Sequence, residues 1–154
     1  MAQPAILVVG DWQRSEMSQV RDWITSIESR TCVRQINHLP NVVIEPPDLV
    51  IVCQSWSDEF SADEVSAALG RWPLAMWVCC YGAWCDSDGR TRSIWPISVR
   101  VSASDASSRL NHVWKILTEQ RGEPLPLTAS RDEAFAFDHG VGDFIPADST
   151  ATLN

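Results

Sequence analysis

Four apolar runs constrain this chain more than any other feature: residues 5–9 (AILVV), 49–53 (LVIVC), 74–81 (LAMWVCCY) and 97–101 (ISVRV). All four are near-continuous and lack the strict alternation of a strand with one wet face. Strands covered on both sides, as in a parallel sheet, read this way. A weaker run, residues 32–36 (CVRQI), alternates and is expected nearer an edge. Between the runs lie residues at helical spacing: Met17, Val20, Trp23, Ile24 and Ile27; then Val65, Ala68, Leu69 and Trp72; then Leu110, Val113, Trp114 and Leu117. Ser61 followed by Glu64 is a capping-box signature for the second stripe, and Gly122 offers a stop for the third. Strands alternating with such helices imply βαβ units. The expected fold is therefore α/β, a doubly wound, mostly parallel five-stranded sheet with flanking helices.

With 20 acidic and 12 basic side chains, the net charge is −8. That argues against nucleic acid or an anionic membrane as a partner, because both reward a basic patch. No run reaches the roughly 20 apolar residues that span a bilayer, and the opening MAQPAILVVGD has no basic region before its short apolar run. A cytoplasmic location is expected. Five cysteines (Cys32, Cys53, Cys79, Cys80 and Cys85), mostly within apolar runs, suit reduced core thiols. Eight tryptophans are many for 154 residues, and several fall in apparent loops.

Two segments depart from the βαβ rhythm. Residues 37–47 hold three prolines and no helical stripe, so a short or irregular crossover is expected there. Residues 82–96 (GAWCDSDGRTRSIWP) form a long turn-rich loop, a kind that often carries function. From Glu123 onward, six acids face one arginine, so most of the net charge lies in this last fifth. The expected organisation is an α/β domain over 1–122 and an acidic extension over 123–154, partly packed and partly mobile. Ser130 and Glu133 form a second capping box, and Phe135 and Phe137 are expected to pack that helix onto the domain.

The element order, with PDLVIV as its third strand, resembles the receiver domain of response regulators. The resemblance covers about residues 5–121 and implies a flavodoxin-like three-layer sandwich. That family places an acidic pair after the first strand, a phosphoryl-accepting aspartate after the third, a Ser/Thr after the fourth and a lysine after the fifth. Clustered carboxylates bind magnesium there, and the hydroxyl and ammonium steady the phosphoryl oxygens. In this chain VVGDW leaves only Asp11 of the acidic pair, Cys53 falls on the acceptor and Cys79 on the Ser/Thr position. The fifth strand offers Arg100 and serines, while the sole lysine, Lys115, lies inside the last stripe. The resemblance thus implies a degenerate site at Asp11, Cys53 and Cys79, with no catalytic residue, no metal and no cofactor.

Each candidate also has a plainer reading. Cys53 and Cys79 are expected at the ends of adjacent strands, close enough for a disulfide or a shared metal. Yet His38, His112 and His139 show no ligand spacing to them, so buried inert thiols are expected. Asp11 reads better as a cap of the first helix than as a working acid. Trp56, Asp58 and Glu59 form either a ligand rim or the acidic entry to the helix at Ser61. Trp84, Arg90, Arg92 and Trp95, together with Trp56, have the composition of a protein interface, or else the tryptophans pin the long loop to the sheet. No G-x-G-x-x-G follows the first strand, and there is no G-x-S-x-G elbow. The expected function is a non-phosphorylatable receiver-like module that binds a protein partner or a second copy of itself. The alternative is a small-molecule or thiol-redox domain using the crevice at the strand ends.

Overall fold

The runs 5–9, 32–36 and 49–53 become Ala5–Val9 (β1), Cys32–Ile36 (β2) and Leu49–Gln54 (β3), joined by Met76–Tyr81 (β4) and Arg100–Ser102 (β5). In the computed structural model, which describes residues 3–39, 45–56, 59–82, 95–119, 125, 128 and 130–139, they form one sheet in the order β2-β1-β3-β4-β5. All four pairings are parallel. This is the flavodoxin-like order, with its strand-order reversal between β1 and β3.

Helices Ser18–Ile27 (α1), Ala62–Arg71 (α2) and Ala106–Glu119 (α3) cover the two faces. On one face Ile6, Val8, Ile51 and Val78 lie under Val20, Trp23 and Ile24 of α1 and Leu110 and Val113 of α3. On the other, Leu7, Val9, Val50 and Val52 lie under Val65 and Ala68 of α2. Every residue of β3 is buried, as its unbroken apolar run requires. Strand β2 lies at one edge of the sheet and exposes Cys32, Arg34 and Gln35. Side-chain bonds join α1 to α3: Trp23 Nε1 donates to Asn111 Oδ1 at 2.9 Å, and Ser107 Oγ to Gln19 Oε1 at 2.6 Å. Trp114 meets Trp23 edge-on at 5.9 Å. The Ser61–Glu64 capping box starts α2.

The α2 face carries an aromatic layer. Trp72 stacks on Trp77 at 6.0 Å, and Trp95 tilts against Trp77 at 5.9 Å. Rings of this size bury more area than aliphatic side chains, so three of them cover the β4 side of a face on which α2 is the one helix among the described residues. Within 37–47, no helix is described between β2 and β3.

The strands that the long runs suggest are trimmed at their starts. Leu74 is not in β4; it is 96% exposed in the turn before it. The run 97–101 opens as a 3-10 turn, Ile97–Val99, closed by Val99 N donating to the Pro96 carbonyl. The strand itself is only three residues long.

In the acidic extension Arg131–His139 forms a helix (α4), started by the Ser130–Glu133 capping box. Phe137 and Asp138 face α3, against His112 and Arg109, and Ala134, on the same helix face, is buried. Phe135 lies off that face and is 61% exposed, contrary to the expectation that both phenylalanines pack. The strongest tie is Arg109, 2% exposed. Its guanidinium makes a two-pronged ion pair with Asp138 and donates through Nη1 to the Ser98 carbonyl at 2.6 Å. Among the described residues, no helix is long and apolar enough to cross a membrane. The regions after Gly122 that lie outside α4, including the segment expected to be mobile, fall largely outside the described residues.

Removing one partner of a buried ion pair strands the other. Asp138→Ala is therefore expected to cost on the order of 3 kcal/mol in urea unfolding, with most of that recovered in Arg109→Met/Asp138→Leu.

Candidate functional site at the strand ends

At the end of β1 the chain must turn sharply, and Gly10 does so with φ of 100°. Its N–H donates to the Ile36 carbonyl at 2.9 Å, and its own carbonyl accepts from Gln35 Nε2 at 2.7 Å. A Cβ at this position would collide with the carbonyl oxygen of Cys53. Both the left-handed backbone and the close approach demand glycine. An acidic side chain is thus excluded from one of the two positions where the receiver resemblance expects an acid.

The other position holds Asp11, 50% exposed at its side chain. Its Oδ1 accepts from Gln13 N at 3.0 Å, a local Asx turn. It does not cap the first helix, as the sequence led us to expect, because the helical backbone begins only at Ser15. Its second role is an ion pair with Arg14, Nε to Oδ2 at 3.6 Å.

Arg14 organises this end of the sheet. Its Nη1 donates to Ser55 Oγ at 2.5 Å, and Nη1 and Nη2 reach the two oxygens of Glu59 at 3.3 and 3.2 Å. The guanidinium carbon lies 4.8 Å from the centroid of Trp56, a cation–π distance. Glu59 in turn accepts from Ser55 N at 2.7 Å. Burial works to lower the Arg14 pKa, but Glu59, by hydrogen bond and charge, with Asp11 and Glu16, outweighs it and leaves it raised. Glu16 closes the arrangement from the other side: its carboxylate lies where a side chain on Gly82, just past β4, would have to go. The acids of this crevice are met by an internal cation.

The thiols do not form the expected pair. In parallel register Cys53 lies beside Cys80, and Cys79 beside Val52. Alternation along each strand then puts Cys53 and Cys80 on the α1/α3 face and Cys79 on the α2 face. Cys53 and Cys79 are therefore separated by the sheet and cannot share a disulfide or a metal. Burial pushes the Cys53 thiol up to about 12, with Glu59 adding to the effect and Arg14 opposing it. Burial raises Cys80 as well, with the neighbouring Cys53 next. Neither is a thiolate near neutral pH. Cys32 is exposed, unlike the core thiols expected, and Cys85 lies outside the described residues. Among the described residues no group of three His, Cys, Asp or Glu side chains could hold a metal ion.

Gln54, which the sequence reading passed over, ends β3 with its side chain buried. Its Oε1 accepts from Trp95 Nε1 at 2.7 Å and lies 3.8 Å from Cys79 Sγ. Its Nε2 donates to the Trp56 carbonyl at 3.0 Å. Trp95 is 3% exposed, so it pins the chain to the sheet and is not part of a surface interface. Its indole N–H is satisfied internally and its ring lies in the aromatic layer. Trp56 is 50% exposed and does lie at the surface. Trp84, Arg90, Arg92 and Asp58 lie outside the described residues. Arg100, beside the fourth strand, places its guanidinium 4.9 Å from the Tyr81 ring.

No family model matches this sequence, and no curated protein is detectably similar to it. Among solved structures, the chain is similar to the crystal structure of adenylate cyclase from Rhodopirellula baltica, at 13% identity and a TM-score of 0.50, over 77% of this chain and 94% of that one. A likeness at that identity speaks to the fold alone.

Two outcomes follow for the thiols. A charged alkylating reagent at neutral pH should leave Cys53 unmodified in the folded chain and label it only after unfolding, read by peptide mass spectrometry. Because the folded Cys53 pKa exceeds the ordinary thiol value of 9.0, unfolding is favoured wherever only the unfolded chain ionises. Stability should therefore fall as pH rises from about 9 to about 12, and Cys53→Ala should flatten that slope in urea titrations at stepped pH.

Proposed function

We propose that this chain is a receiver-like domain that does not accept a phosphoryl group and that works by binding another protein or a second copy of itself. The observation that carries the reading is Arg14 in the strand-end crevice, held by Glu59, Ser55 and Asp11. A receiver needs that space for a magnesium ion and an incoming phosphoryl group. Here a fixed cation and its own carboxylates fill it, Gly10 excludes one acid, and a protonated thiol stands at the acceptor position. An aspartate acceptor attacks as a carboxylate; a thiol whose ionisation is pushed far above neutrality offers no comparable nucleophile. The adenylate cyclase likeness supports the shape of the domain and carries no activity to it.

Binding is supported by the chemistry at the rim of the same crevice. Trp56 is half exposed with Arg14 against its ring, and Trp and Arg are the side chains most enriched at interface hot spots. The competing thiol-redox reading is opposed by the burial of Cys53, Cys79 and Cys80 and by the sheet that separates Cys53 from Cys79.

Incubation with acetyl phosphate and magnesium should leave the mass of the intact chain unchanged; stoichiometric addition of a phosphoryl group would overturn the proposal. In sedimentation velocity over a concentration series, self-association through this rim should weaken at least about tenfold in Trp56→Ala. If the chain is monomeric throughout, the same substitution should weaken capture of a protein partner from its own host, compared side by side with the parent chain.

A further inference from the structure

Helix α4 holds to the rest of the chain by one narrow face. Of its described side chains only Ala134 is buried, while Asp132, Glu133 and Phe135 are exposed. Phe137 meets the His112 ring of α3 edge-on at 5.1 Å, and the guanidinium carbon of Arg109 lies 5.6 Å from its centroid. Asp138 takes the ion pair with Arg109. A nine-residue helix is marginal by itself in water, so α4 depends on this docking. Residues 120–130 separate it from α3 in the chain, so it can leave without unwinding α3.

The surface beneath α4 is made ready without it. Arg109 Nη1 donates to the Ser98 carbonyl at 2.6 Å, a bond to the 3-10 turn before β5 in which α4 takes no part. With α4 gone, that bond still aims the guanidinium. Nε and Nη2, which hold the Asp138 carboxylate, are then the groups that another carboxylate would meet. Helix α4 also fills this surface only in part. Beside Phe137 a cavity of about 390 Å³ opens between α4, α3, the end of α2 and the start of β4, walled by Leu69, Trp72, Met76 and Val113. Leu74, at its mouth, is almost fully exposed. An arginine beside aromatic and aliphatic side chains has the composition of an interface hot spot.

We propose that this is a docking surface for an amphipathic helix of a partner protein, and that α4 occupies it in cis until the partner displaces it. The chemistry of the occupant is read from α4 itself. It carries an aromatic residue followed at once by a carboxylate, as Phe137 and Asp138 do, with a small residue one turn earlier, as at Ala134. The aromatic ring lies against His112, and the carboxylate completes the charge of Arg109. A partner that also sends a bulky apolar side chain into the cavity makes contacts that α4 lacks. Those contacts offset the effective concentration that the tether gives to α4. This proposal is independent of the function proposed for the strand ends.

The test uses the full chain and a fluorescein-labelled, end-blocked peptide of residues 129–140. In the parent chain the amides of α4 should exchange with deuterium well ahead of those of α3 and β3, because α4 unfolds locally. Exchange of all three in one step would overturn the proposal. Asp138→Ala in the chain loosens α4, so the peptide should bind that variant saturably and at least about tenfold tighter than it binds the parent. An Asp138→Asn peptide should bind at least about thirtyfold more weakly, because one side of a buried charge pair is lost. A Phe137→Trp peptide, larger toward the cavity, should bind at least about threefold more tightly. If the Asp138→Ala chain does not fold, the three peptides are compared on the parent chain at higher concentration. No saturable binding, no loss without the carboxylate, or no gain with the larger ring would each overturn the proposal. So would a dimer in sedimentation velocity that Asp138→Ala abolishes, which would assign the surface to a second copy.

Discussion

Strand β3 is enclosed on all sides: β1 and β4 take its backbone hydrogen bonds, and helices on both faces take its side chains. A strand in that position must be apolar along its length, because an unpaired charge there would lack water and partner alike. The rest of the chain answers to this constraint. Parallel neighbours require crossovers that bring helices onto both faces, and the strand ends become the first place where polar chemistry is affordable. The transition is abrupt here. Cys53 still belongs to the interior, Gln54 is polar but buried and bonded to Trp95 and the Trp56 carbonyl, and Ser55 is the first residue to meet a charge.

Two arginines then settle the electrostatics of a chain whose net charge is −8. Arg14 gathers Asp11 and Glu59 at the strand ends, and Arg109 fastens Asp138, and with it α4, to the domain. Planar guanidinium groups can hold a carboxylate with two bonds and still donate to a hydroxyl or a carbonyl. Both arginines do so, Arg14 toward Ser55 and Arg109 toward the Ser98 carbonyl. In each case the carboxylates and the carbonyl or hydroxyl beside them are met by a cation of the chain itself.

Strands, their parallel pairing and the three stripes were legible because burial on two faces and on one helix face leave different periodicities. Residues 5–9 and 32–36 read out as strands with their observed ends. Less was legible where tertiary contacts decide. The separation of Cys53 from Cys79 depends on register, and a one-residue shift between strands changes which thiol is neighbour to which. Arg109 stands inside the third stripe beside Leu110, and nothing local marks an arginine as buried until Asp138, 29 positions away, is folded against it. For Arg14 a signal was present: it stands three residues after Asp11 in the turn that follows β1. The interface composition of Trp95 misled because its indole partner, Gln54, belongs to a different strand.

The close approach of Gly10 to the Cys53 carbonyl has a consequence for substitution at both positions. The turn after β1 is tied to the backbone of β3, so a side chain at Gly10 disturbs both. Cys53→Asp alone would place a carboxylate beside Arg14 and Glu59, with no metal to receive it. Gly10→Asp alone meets the Cys53 backbone and a dihedral that L-residues avoid. A carboxylate at Gly10 is disfavoured until the turn after β1 is rearranged.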